Sequence, residues 1–202
     1  DAKGQSVTQN GNVFSFGGGR GDITVLNFET ITLDNLGDLE IFGDNNNNTL
    51  TITATGTDDG SYQLDTNPVV NFTNIDSLTF EGNAGDDRLV IDNQFAGVFN
   101  PFDGVVYQGG ADSDDLVISN GEATTVEHLF TTENDGSIRY NDSASDDLVY
   151  TGLEPIDDSI DADNRIFTFL SSSNETITFA NATAAGSNTI DLTSGERGTF
   201  KN

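Results

Sequence analysis

A short unit recurs along this chain and limits what it can become: a turn rich in Gly, Asn and Asp runs straight into an apolar strand. Gly82-Asn83-Ala84-Gly85-Asp86-Asp87-Arg88-Leu89-Val90-Ile91 is the clearest copy. Gly tolerates left-handed backbone and Asp bonds nearby amides, so the first half is a turn. Leu89 and Ile91 are two apart and share one face of an extended strand. The stretch from Gly43 to Ile52 matches this copy 39 residues earlier, and that from Gly109 to Ile118 matches it 27 residues later. The stretch from Asn141 repeats it with Asp146-Asp147-Leu148-Val149-Tyr150, and a weaker copy ends in Asn188-Thr189-Ile190-Asp191-Leu192. The unit extends upstream. Leu36, Leu39 and Ile41 precede Gly43 as Ile75, Leu78 and Phe80 precede Gly82, and as Phe102, Val105 and Tyr107 precede Gly109. Units of strand, acidic turn and strand bury their apolar faces against their neighbours, which predicts a stacked architecture. The irregular spacing makes it a degenerate stack. Leu89 with Leu116, and Ile91 with Ile118, are expected in the same inward columns.

The G-x-A-x-x-D-x-L-x-I turns resemble the calcium-binding nonapeptide (RTX) repeat, G-G-x-G-x-D-x-U-x. The wider blocks, Asn71 to Gly82 and Asp147 to Ile156, are similar to segments of very large secreted bacterial surface proteins of the adhesin type. The resemblance covers about residues 36 to 192. Two departures stand out: the nine-residue period is not kept, and Asn45 to Asn48 replace carboxylates in the first copy. The fold expected is all-β, a parallel β-helix or β-solenoid with acidic Gly/Asn/Asp turns; a calcium-stabilised β-sandwich is the alternative.

Charge sets the second constraint. Acidic residues number 34 against 7 basic ones, a net charge of −27. Such a surface repels nucleic acid, anionic membranes and polyanionic glycans. It also opposes compaction, so an ordered chain this acidic calls for bound divalent ions or high external salt, surface solubility being the plainer alternative. The strand-like blocks and 14 Phe argue against disorder,. Without Cys there is no disulfide framework and no thiol chemistry,. Without Met, a processed chain or a piece of a longer protein is expected. No apolar run reaches the length of a membrane span.

In chain order, residues 1–21 read as an N-terminal strand, Val13 to Phe16, followed by a Gly-rich connector from Gly17 to Gly21; together they form a cap or a donor strand. Residues 22–202 read as a single β-solenoid domain. Arg20-Gly21-Asp22 is best read as chance in a chain this rich in Gly and Asp. Thr49-Leu50-Thr51-Ile52-Thr53 alternates, with Leu50 and Ile52 inward. Phe95, Phe99 and Phe102 break the rhythm around Asn100-Pro101 and read as a plug between coils, with stacking on a sugar face as the alternative. Residues 122–140 are less regular and expected to protrude.

Calcium is the cofactor expected, because Asp, Asn and turn carbonyls supply the six to eight oxygens it takes. The candidate ligands are Asp86 and Asp87; Asp112, Asp114 and Asp115; Asp142, Asp146 and Asp147; and Asp157, Asp158, Asp161 and Asp163. The plainer reading is solvated turn residues. His128 is the only histidine and reads as an ordinary strand residue, so multi-histidine metal sites are excluded. The Asp pairs repeat like structure rather than occurring once like a reaction centre. The function expected is therefore non-enzymatic: an extracellular or cell-surface structural segment of a calcium-rigidified adhesin, sheath or filament. The alternatives are a filament subunit joined by N-terminal strand addition and a β-helical carbohydrate-active enzyme. The partners expected are neighbouring repeats or copies of the chain, and surface glycans, with no nucleic acid and no membrane insertion.

Overall fold

The computed structural model describes residues 7–10, 13–17, 20–24, 31–144, 147–170, 177–181, 187–192 and 197–201. Among them the chain is all-β and no element is a helix. The strands form two mixed sheets. In the first the order is β17 (Asp161–Phe169), β13 (Glu122–Phe130), β14 (Gly136–Tyr140), β15 (Leu148–Thr151), β11 (Val105–Ala111), β9 (Ser77–Ala84), β5 (Asp38–Phe42), β1 (Val7–Asn10), β2 (Val13–Phe16) and β3 (Arg20–Thr24). In the second it is β18 (Ile177–Asn181), β19 (Ser187–Leu192), β20 (Arg197–Lys201), β16 (Leu153–Asp158), β12 (Asp114–Asn120), β10 (Arg88–Asn93), β6 (Thr49–Ala54), β7 (Gly60–Leu64), β8 (Val70–Thr73) and β4 (Ile31–Asp34).

The middle of each sheet is parallel. In the first, β1, β5, β9, β11 and β15 pair in that order; in the second, β6, β10, β12, β16 and β20 do. Consecutive strands alternate between sheets: β5 passes to β6, β9 to β10, β11 to β12 and β15 to β16. Parallel strands cannot be joined by a tight hairpin. Here the return journey is made through the other sheet. The acidic turns at Gly43, Gly82 and Gly109 are the corners between a strand of the first sheet and the next strand of the second, whereas the expected copy from Asn141 leads from β14 to β15 within the first sheet.

Register fixes what is buried, because a slip of one residue would turn every inward side chain outward. Leu50, Leu89, Leu116 and Ile156 stand side by side, and Ile52, Ile91 and Ile118 form the next row. In the other sheet Leu39, Leu78, Val105 and Leu148 align, beside Ile41, Phe80, Tyr107 and Tyr150. All are buried and belong to one core. The expected columns through Leu89 and Leu116, and through Ile91 and Ile118, are therefore present. Phe80 and Tyr107 stack with ring centroids 5.2 Å apart.

Several expectations are corrected. Val13–Phe16 pairs with β1 on one edge and with β3 on the other, so both its edges are taken within the chain. The expected boundary after residue 21 falls inside β3. Residues 122–140 do not protrude: β13 and β14 form a hairpin that continues the first sheet beyond β15. Phe102 does not match Leu36 and Ile75, being 91% exposed, whereas Phe99 is buried edge-on to Phe72. The copy ending at Leu192 does not join the parallel series. Its strand β19 lies antiparallel between β18 and β20, and β20 takes the parallel place beside β16.

Candidate functional site

Each acidic corner is closed by one side chain folding back on one glycine. The spacing is five residues: Gly43 with Asn48, Gly82 with Asp87, Gly109 with Asp114. A Cβ on any of these glycines would collide with the oxygens of its partner. At Gly43 and Gly82 it would also strike the carbonyl oxygen of the next corner's glycine, Gly82 or Gly109. The position favours Gly, because the clamping side chain, joined at Gly43 and Gly82 by backbone, approaches where a Cβ would be,.

The same carboxylates tie one corner to the next. Asp87 Oδ1 accepts from the amide of Asn48 at 2.7 Å, and Asp114 Oδ1 accepts from the amide of Asp87 at 2.8 Å. The outer parts of the corners are linked in the same way. The Asp86 amide donates to Asn47 Oδ1, the Ser113 amide to Asp86 Oδ1 and the Gly85 amide to Asp112 Oδ2. Corner backbone has no strand partner, so these side chains satisfy amides that would otherwise be lost.

The second oxygens are different. Asp87 Oδ2 and Asp114 Oδ2 are buried and have no hydrogen-bond partner, as is true of the Tyr107 hydroxyl. Burial drives the Asp87 carboxyl up to about 6, against the amide bond from Asn48, with Asp114, Asp44 and Asp65 adding repulsion. Burial also raises Asp114, and the Asp87 amide only partly offsets it; Asp86, Asp112 and Asp115 push further. Burial pushes the Tyr107 phenol well up, with Asp114, Asp87 and Asp115 contributing. Asp115 is raised by burial, opposed by Arg88 at 3.3 Å and assisted by Asp157.

Of the residues singled out as ligands, Asp86, Asp87, Asp112, Asp114 and Asp115 come together at the corners. The rest are dispersed. Asp142 is exposed in a left-handed turn. Asp146 lies outside the described residues. Asp147 is buried and accepts from the Tyr140 amide at 2.6 Å. Asp157 is exposed on β16, and Asp161 and Asp163 are exposed on β17. Among the described residues, no three His, Asp or Glu side chains are grouped to hold a metal ion by themselves. The chemistry of the corners nevertheless fits a hard cation. Asp87 Oδ2 and the Gly109 carbonyl oxygen approach the same point above Gly82, Asp114 Oδ2 lies against Gly109, and oxygen donors of this kind are what calcium takes,.

Asp158 is something else. Its side chain is fully buried beside Ile118. His128 Nε2 lies 3.0 Å from Asp158 Oδ2, Arg165 Nη1 donates to the same oxygen, and the Ile160 amide donates to Oδ1 at 2.9 Å. Burial pulls the Asp158 carboxyl up, but His128 and Arg165 outweigh it and hold it below the ordinary range. His128 is thus not an ordinary strand residue but the buried partner of a carboxylate.

Sequence reasoning missed Asn48, Asp44 and Asp65 at the first corner. Asp65 accepts from the Thr49 amide at 2.7 Å and from Asn48 Nδ2 at 3.0 Å. The five-residue spacing from Gly to Asn or Asp was the signal for Asn48; nothing local marks Asp65, which arrives from the far end of the β6–β7 hairpin. Comparison with known protein families, with curated proteins and with solved structures finds no match to the chain.

Proposed function

We propose that this chain is an extracellular structural segment of a calcium-rigidified surface protein, an adhesin, sheath or filament. In this reading the strand pairs β5–β6, β9–β10, β11–β12 and β15–β16 are successive coils of a parallel β-helix with RTX-like corners. The observation that carries the reading is the recurrence of the glycine–carboxylate clamp. Asp87 and Asp114 do the same work in successive corners, bonding the corner before them through one oxygen. A group that repeats in successive corners serves the stack, whereas a reaction centre needs one converging set.

Calcium enters because the clamp leaves two buried carboxylate oxygens uncompensated. An opposite charge beside such groups favours their ionised form and removes their mutual repulsion. Asp87, Asp114 and the Gly109 carbonyl would hold the ion. Extracellular modules bind calcium with constants of about 10⁻⁴ to 10⁻³ M. At about a hundred times that constant one site adds about 2.7 kcal/mol.

Thermal unfolding of the 202-residue chain tests this. Chelator is expected to lower Tm and added calcium to restore it. In a variant carrying both Asp87→Asn and Asp114→Asn the response to calcium is expected to vanish while the fold survives, since Asn48 already fills the same place at the first corner. A wild-type melt that ignores calcium would leave the clamps as purely structural turns.

A further inference from the structure

We propose that the trough between the loop following β10 and the paired starts of β13 and β17 is a binding site for a neutral or amine-bearing saccharide. This names a partner for the surface segment proposed above and rests on that reading for its setting. Two adjoining hollows, about 440 Å³ and about 700 Å³, share Ala96, Glu122 and Asp161 and so form one continuous trough. Small-ligand sites occupy about 300–1,000 Å³.

The walls are built rather than incidental. Gly121 has φ +77°, and a Cβ there would collide with the Gly97 carbonyl and the Asn93 side chain. Asn93 is buried, accepts from the Phe99 amide at 2.7 Å and donates to the Ser119 carbonyl at 3.3 Å. Asp92 then fixes two lining amides at once, accepting from Gln94 Nε2 at 2.9 Å and from Asn120 Nδ2 at 2.7 Å. The Asp161 amide donates to the Gly121 carbonyl at 3.0 Å, so the far wall is anchored as well.

The lining suits a polyol. Glu122 and Asp161 are register partners on adjacent parallel strands, about 4.8 Å apart,. Asp163 follows two residues on, on the same side of β17. Exposed carboxylates on rigid strands accept hydrogen bonds from vicinal hydroxyls, two oxygens to two hydroxyls. Half-buried Phe95 packs on the core and also lines the trough, where its ring meets the C–H face of a sugar. Among the described residues of the lining there is no Arg or Lys, so acidic sugars are repelled and neutral or amine-bearing ones admitted,.

The test is a titration of the ¹⁵N-labelled 202-residue chain with the methyl glycosides of glucose, galactose, N-acetylglucosamine and glucosamine, with calcium and again with chelator. At least one glycoside is expected to shift the Gly121, Glu122 and Asp161 amides saturably. Glu122→Gln with Asp163→Asn, an exposed and isosteric pair, is expected to weaken that binding about tenfold or more, since hydrogen bonds to charged groups are the strong ones. Phe95→Leu, which keeps the packing and loses the ring, is expected to weaken it too. No saturable shift with any glycoside, or shifts that map elsewhere, would overturn the proposal. So would an equal response to a simple alkylamine, which would make the trough a site for any cation. A sugar response that survives chelation while the melt ignores calcium would separate failure of the calcium reading from success of this one.

Discussion

Asp87 carries two oxygens with opposite fates. One is bonded to the amide of Asn48; the other is buried against Gly82 with no partner. The second dominates the titration, so the folded carboxyl is raised to about 6 from an ordinary value of 3.8. The folded state therefore binds more protons than the unfolded one between those values, and stability falls as pH rises through that window. With calcium removed, Tm is expected to climb as pH drops from 7 towards 5. Asp87→Asn, which cannot ionise, is expected to flatten that rise and to be the more stable protein at pH 7. Parallel curves for the two proteins would show that the buried carboxylate is not what responds. The clamp itself was legible in the sequence as a turn, since Gly and Asp announce one. That its Asp is buried was not, because an acidic residue in a Gly-rich run reads as solvated until the next corner is known to lie on top of it.

At the scale of the strand, β10 holds Leu89 and Ile91 between equivalent residues of β6 and β12 on both sides. Leu89→Ala opens a cavity at the centre of a row and is expected to cost about 2–5 kcal/mol by urea denaturation. A loss below about 1 kcal/mol would mean that the row can collapse around the gap. These strands were readable because alternation and repetition point to the same answer; the copies could be aligned before any fold was known. β16 was readable as a strand from Leu153 to Ile156, but not in its phase. Two residues lie between Leu153 and Ile156, but only one between their partners Asp114 and Leu116. The extra residue lies at Glu154 or Pro155, and Pro, having no amide hydrogen, suits such a bulge. It resets the phase, so that Leu153, Ile156 and Asp158 all point inward. A simple period of two would have placed Asp158 outside with the other acidic residues, as a candidate ligand. The antiparallel strands β14, beside β15, and β19, beside β20, were legible as strands but not in their pairing, because nothing local tells a strand which neighbour it will take,.

For the molecule as a whole, the inward rows are not apolar throughout. At one end Ile41 is followed by Gln9 and Ile52 by Tyr62, and the Tyr62 hydroxyl donates to Gln9 Oε1, joining the two sheets. At the other, Ile118 is followed by Asp158 while Ile138 is followed by His128, and Asp158 joins His128 and Arg165 across the sheets. Each apolar stack is thus crossed by a buried polar contact between the sheets, and the rows continue past it through Phe14 beside Gln9, Val70 beside Tyr62 and Phe167 beside His128. A buried polar group with its partner across the core fixes the register there, since any shift would part the two. Asp158 gives this the clearest test. Its carboxyl is held below the ordinary 3.8, so its contribution is fully present above that value and is lost as pH falls through the lower folded one,. Asp158→Asn strands His128 and Arg165 in the core with a weakened partner and is expected to cost about 3–5 kcal/mol at pH 7. Replacing all three, Asp158→Leu with His128→Leu and Arg165→Met, is expected to recover most of that loss or to exceed wild type, because an apolar substitute carries no desolvation penalty. What the triple variant is expected to lose is the single register, seen as broadened or doubled amide resonances along β16 and β17 in a protein of undiminished denaturation midpoint. A triple variant with both normal stability and one sharp set of resonances would show that the apolar rows alone fix the register.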